Sequence, residues 1–298
     1  MKFHPSYAYS DGDILLRASD NVFFRVHSII LKLASGFFRQ MLEIPRAASE
    51  SPNDAIPLAE ESSVFSFLLD LVYPASPSVN SEVDEAARLP KVSSLSFAWA
   101  VTNAADKYDM PRALAGVRAS IMSADVANIS PLGLYALASR WKWTEEARLA
   151  STATLSSSLS RRENLPILRT LDSESICKLL ELHMARKEAI LKFFDLEHRD
   201  HKYFIVYQWE CGCSTEEDGT KTEAFIKQWD SMRSFVIVSL EACPLGQELR
   251  DPAFWSKKDI KLWSFTCHNC GKLIINKPYF IKRVGEVFQN AKLPNSIA

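Results

Sequence analysis

Apolar and polar residues alternate over residues 13–18 and 23–26, and a third short apolar run stands at 55–58. A period of two predicts strands with one buried face. After Val26 the period lengthens. Ile30, Leu31, Ala34, Phe37, Phe38 and Met41 recur at helical spacing, so a helix is expected directly after His27. Ser62 is placed to cap a second helix with an apolar face of Phe65, Leu68, Leu69, Val72 and Tyr73, and Pro74 stops it. Residues 74–94 are rich in Pro, Ser and acids and predict an exposed loop. A helix pair is expected over 95–108 and 110–122. The candidate core of this region is Leu16, Val26, Leu31, Phe38, Met41, Leu68 and Leu69.

Helical spacing continues downstream. Pro131 suits a first turn, with Leu132, Tyr135, Ala136 and Ser139 on one face. Thr144-Glu145-Glu146 opens the next helix, with acids at its positive end. Asp172 or Ser173 caps a long helix through Leu179, Leu182, Ile190 and Phe194. The last hundred residues carry Trp209, Cys211, Cys213, Trp229, Cys267 and Cys270, and a helix is expected around 278–288.

The chain has 298 residues, room for more than one domain. A formal net charge of −1 gives no electrostatic case for nucleic-acid or membrane binding. No apolar run approaches the ~18 residues of a membrane span, and the N-terminus lacks a signal-peptide core. A cytoplasmic and/or nuclear address is therefore expected, where cysteines serve as thiols or metal ligands rather than disulfides. None of the nine glycines falls in a G-x-G-x-x-G or Walker pattern, so no small-molecule or nucleotide substrate is evident.

Several of these segments resemble the BTB/POZ family. A strand starting with Asp, here Asp13-Ile14-Leu15-Leu16, pairs in that family with a strand ending in Val-His, here Val26-His27. Leu31, Ser35, Phe38 and Met41 follow at the family's helical spacing. The middle helix ends at Tyr73, and Ala104-Ala105-Asp106-Lys107-Tyr108 is similar to a later helix end. The whole order also resembles fungal BTB proteins with a helical and Cys-bearing C-terminal region. The resemblance implies an α+β fold: a BTB/POZ module over 11–123 with a small helix-covered sheet, a mainly helical extension over 124–200, and a small α+β region over 201–298.

What the family implies for function is protein binding and no catalytic residues. The expected activity is that of an interaction scaffold or adaptor, with self or a cullin as partner, and concretely a substrate adaptor for a cullin-type ubiquitin ligase. The protein-binding residues so implied are Leu68, Leu71, Tyr73, Asp106, Tyr108 and Met110. Only ten residues precede Asp11, so modest self-association is expected. The alternative class is a BTB-containing transcriptional regulator, but the Cys pairs lack Cys₂His₂ spacing and no basic stripe accompanies them.

His27 stands at a strand-to-helix junction, and no Asp or Ser is spaced to make it part of a triad, so a structural role is expected. Site chemistry concentrates instead in Cys211-Gly212-Cys213 and Cys267-His268-Asn269-Cys270-Gly271. Cys-x-x-Cys-Gly is a metal-knuckle turn whose Gly tolerates positive φ. Cys-x-Cys on a strand puts both thiols on one face. Joined, Cys211, Cys213, Cys267 and Cys270 would form a closed structural zinc site. The competing readings are four packed thiols, a knuckle completed by His198, His201 or His268, or a nucleophile at Cys211 or Cys270, which lacks a base-and-orienter pattern. Cys177 and Cys243 are expected as buried thiols, and Trp141, Trp143, Trp229, Trp255 and Trp263 as core.

Overall fold

The computed structural model describes residues 1–44, 54–74, 90–122, 130–195, 223–257, 259–266, 270–290 and 292–297. The chain divides into two compact units, Met1–Ser130 and Pro131–Ala298.

In the first unit β1 (Lys2–Ala8), β2 (Ile14–Arg17), β3 (Val22–Val26) and β4 (Ile56–Pro57) form a sheet in the order β1-β3-β2-β4. The antiparallel β2–β3 hairpin sets Leu16 opposite Phe24. Its turn places Asn21 at φ 61°, a left-handed conformation that asparagine accepts at low cost. The outer strands β1 and β4 run parallel to their neighbours and carry Pro5 and Pro57. No strand is predicted over 2–8 by the alternation rule, because Pro5 interrupts it and Tyr7 is the one buried side chain of β1. An outer strand tolerates both features.

Among the described residues five helices cover the sheet: α1 (Ser28–Ala34), α2 (Gly36–Met41), α3 (Ser62–Val72), α4 (Leu95–Lys107) and α5 (Pro111–Met122). The single helix expected over 30–41 is two. Ser35 is extended, ends α1, and caps α2 by accepting the Phe38 N–H at 3.0 Å. Leu31 and Phe38 are fully buried, whereas Met41, expected in the core, is half-buried in the last turn of α2. The α3 cap also differs from expectation. Glu61 is the capping position, and Asp20 of the β2–β3 turn takes the Ser62 hydroxyl at 2.6 Å. Leu16, Val26, Leu68 and Leu69 join Phe24 and Phe65 in the core as expected.

The second unit contains α6 (Pro131–Arg140), α7 (Thr144–Thr154), α8 (Leu165–Leu168), α9 (Ser173–Leu191), α10 (Glu223–Ala242) and α11 (Lys277–Asn290). Asp172 caps α9 by accepting the Ser175 N–H at 2.8 Å. A 3₁₀ turn, Lys192–Phe194, prolongs α9 and buries Phe194. The inward residues of α10 (Phe225, Trp229, Met232, Val236, Leu240) meet Trp255, Ile274, Phe280 and Val284 in one core. Two buried indoles find acceptors: Trp229 donates to the Phe194 carbonyl at 3.0 Å and Trp255 to the Leu249 carbonyl at 2.8 Å, whereas the buried Trp141 Nε1 has none among the described residues. Trp143 is buried, while Trp141 and Trp263 are half-buried. Cys177 is exposed, against the expectation of a buried thiol, because α9 turns Leu179, Leu182 and Ile190 inward and Cys177 lies on the opposite face. Cys243 is half-buried. No described helix is long and apolar enough to cross a membrane.

Leu31 tests the packing of the first unit. Leu31→Ala should cost about 2–5 kcal/mol in urea unfolding. A loss under about 0.5 kcal/mol would mean that this side chain is not in a packed core.

Candidate functional site

The surface of the first unit is organised by the contact between the α1–α2 break and the corner joining α4 to α5. The Ser35 hydroxyl donates to the Tyr108 carbonyl, and the Gly36 N–H donates to the Asp109 carbonyl at 2.9 Å. Gly36 lets the two segments approach closely: a Cβ would sit 1.8 Å from Asp109 Oδ2 and force that carboxylate aside. Asp109 itself takes φ 48° to turn the corner. The Tyr108 ring stacks on Phe38 at 5.1 Å and meets Phe37 edge-on at 5.6 Å.

Glu60 braces the same corner. It accepts hydrogen bonds from Lys107 at 2.8 Å and from the Tyr108 hydroxyl. Burial alone would raise the Glu60 carboxyl, but the Lys107 and Tyr108 hydrogen bonds and the Lys107 charge outweigh it, and its pKa falls below the ordinary value. Burial, then Glu60, pushes the Tyr108 phenol up, so it stays a donor.

A second aromatic set ties β1 to the end of α3. The Tyr7 hydroxyl donates to Asp70. Tyr9 stacks on Tyr73 with centroids 5.5 Å apart, and the His27 N–H donates to the Tyr73 hydroxyl at 2.9 Å. His27 Nε2 lies 3.3 Å from Asp11, and Asp13 accepts the Ser28 N–H at 2.7 Å. This is the junction role expected of His27.

The implied protein-binding residues fall into two groups. Leu68, Tyr108 and Met110 are buried inside the unit, where they shape the surface without forming it. Asp106 is exposed, Tyr73 is half-buried within the aromatic set, and Leu71 is half-buried with its Cδ2 2.7 Å from where a Cβ on Gly116 would stand. Sequence reasoning overlooked the exposed apolar side chains of α1, α2 and the residues just after them. Ile29 is 65% exposed, Leu33 75%, Phe37 41% and Ile44 68%. The missed signal was a helix apolar on two faces: Ile30 and Leu31 satisfy one side, while Ile29 and Leu33, four apart, form another.

Of the proposed metal ligands, Cys211, Cys213 and Cys267 lie outside the described residues, as do Trp209, His198, His201, His268 and the 214–222 stretch. Cys270 is described, with an exposed free thiol. It sits in a hairpin closed by the Thr266–Leu273 bridge and by the Ile274 N–H donating to Phe265 at 2.8 Å. Gly271 follows at φ 68°. Among the described residues, no three His, Cys, Asp or Glu side chains gather into a metal-sized group.

Residues 7–120 match the family model of the BTB/POZ domain. With the small sheet, the split α1–α2 pair and the α3–α5 helices, this match identifies the first unit as a BTB/POZ domain, a protein-interaction module. No curated protein matches the chain.

Glu60 makes the corner pH-dependent. Its folded pKa lies below its unfolded one, so its contribution is present above the unfolded carboxylate pKa and is lost as pH falls through the folded value. Glu60→Gln should lower stability by about 1–2 kcal/mol at neutral pH. The gap to the unmodified protein should close in acid. A gap of constant size down to pH ~2 would show that the charge is not what matters.

Proposed function

We propose that this protein is an interaction adaptor whose BTB module docks a protein partner and whose second unit presents another surface. The observation that carries this reading is the exposure of four large apolar side chains, Ile29, Leu33, Phe37 and Ile44, within the one short α1–α2 segment. Large side chains left in water on one face mark an interaction site. The face is continuous with the α4–α5 corner through the Phe37–Tyr108 contact, which brings it toward exposed Asp106. In its concrete form the partner is a cullin-type scaffold and the protein a substrate adaptor of a ubiquitin ligase, with a second copy of the module as the competing occupant.

Leu33→Asp decides this. The side chain is exposed, so the fold should hold while a central apolar anchor is lost. Titration with a cullin N-terminal domain and light scattering of the chain alone should show at least one association weakened about tenfold or more. Loss of self-association alone, without cullin binding, would retain the interaction reading and remove the ligase. No effect on either would overturn both.

We also propose structural zinc held by Cys211, Cys213, Cys267 and Cys270. Supporting it, Cys270 stands in a hairpin with Gly271 at positive φ, the backbone that a Cys-x-x-Cys-Gly knuckle requires. Purified protein should carry about one zinc per chain. Chelation should loosen the second unit and spare the BTB module, because binding energy at such a site is folding energy. Metal-free protein with unchanged thermal unfolding would leave only packed thiols, and Cys270→Ser retaining full zinc would exclude this ligand set.

A further inference from the structure

In the second unit Arg186 is 3% exposed, yet among the described residues no carboxylate pairs with it. Nη2 donates to the Leu245 carbonyl at 3.3 Å. Nη1 donates to the Pro294 carbonyl at 3.2 Å and to Asn295 Oδ1. Nε has no acceptor. Burial, then the charge of Arg250, pulls the Arg186 pKa down, the direction of a cation short of negative neighbours. A buried guanidinium met only by neutral oxygens is under-compensated.

Residues 292–297 lie across this group as an extended strap. Leu293 is buried in the core shared by α9, α10 and α11. The Ile297 N–H donates at 3.1 Å to the hydroxyl of fully buried Ser151 on α7, which itself donates to the Arg148 carbonyl at 2.7 Å. The groove thus reads a main-chain carbonyl, a side-chain oxygen, a main-chain N–H and an apolar anchor. That is how an extended peptide is recognised. Asn295, whose amide stands where a carboxylate would neutralise Arg186, is exposed and outside the core.

We propose that this groove, built by Ser151 and Arg186, is a binding site for an extended partner peptide of the form apolar-Pro-Asp-x-apolar, and that residues 292–297 occupy it in cis as a neutral placeholder. A carboxylate at the Asn295 position forms a charge-assisted pair with the buried guanidinium that the amide cannot. The cis segment holds the groove by proximity, competing at an effective concentration of about millimolar. A charged peptide from another protein displaces it. The proposal rests on the adaptor reading only in giving the second unit a recognition role.

The test uses full-length chain and two fluorescein-labelled hexapeptides, KLPNSI and KLPDSI. Asn295→Ala weakens the strap at an exposed position, so the fold is kept. To that variant KLPDSI should bind about ten- to a hundredfold tighter than KLPNSI, and the unmodified chain should bind KLPDSI more weakly than the variant does. Asn295→Asp should bind neither peptide and should slow amide exchange over 292–297. Equal affinities of the two peptides, no binding to Asn295→Ala up to about 1 mM, or unchanged exchange in Asn295→Asp would each overturn the proposal. Leu33→Asp should bind the peptides as the unmodified chain does, so failure here is distinguishable from failure of the α1–α2 surface.

Discussion

The first unit depends on one buried hydroxyl. Ser35 has no exposed surface, and its oxygen serves both sides of a chain break, accepting from Phe38 and donating to Tyr108. Without that pair of bonds the break between α1 and α2 would bury unsatisfied backbone groups. The Gly36 and Asp109 backbones close the same contact from the other side. Leu31 and Phe38, seven positions apart, both face the core, while Ile29, Leu33 and Phe37 are turned out. These exposed apolar side chains flank the same break that the Ser35 hydroxyl closes.

Much of the BTB fold was legible because its signals are local. The strands at 14–17, 22–26 and 56–57 and the α3, α4 and α5 helices follow from alternation or helical period, as the Asp172 cap of α9 in the second unit follows from its side chain. What was missed has a common cause. The Ser35 break carried a local signal, Ser35-Gly36 with Ser35 capping the Phe38 N–H, but the apolar period running through it hid that signal, and its other support, Tyr108, lies seventy-three positions away. β1 owes its place to Tyr7 reaching Asp70, again a distant partner. By contrast α10 could have been read: Phe225, Trp229, Met232, Val236 and Leu240 repeat at spacings of four and three, and attention to its tryptophan as an isolated landmark hid the period. The candidate site was the least legible part. A motif names residues by position, and Leu68, Tyr108 and Met110 occupy theirs as core.

Both units close buried polar groups with side-chain pairs and with main-chain carbonyls. In the BTB module Tyr108 pairs with Glu60 and Tyr7 with Asp70, while Ser35 donates to the Tyr108 carbonyl. In the second unit the indoles of Trp229 and Trp255 and the guanidinium of Arg186 are satisfied mainly by main-chain carbonyls from turns and from the strap. Carbonyls hold a neutral indole well and a cation less well. The same device is complete in one place and leaves a charge deficit in the other.

The sheet carries proline in both of its outermost strands, Pro5 on one side and Pro57 on the other. Each removes an N–H from a row that another chain's backbone would need as a template. The module is thereby protected against growth by strand stacking, the route by which small sheets aggregate. A strand arriving at either edge would meet a missing donor in place of a continuous hydrogen-bonding row.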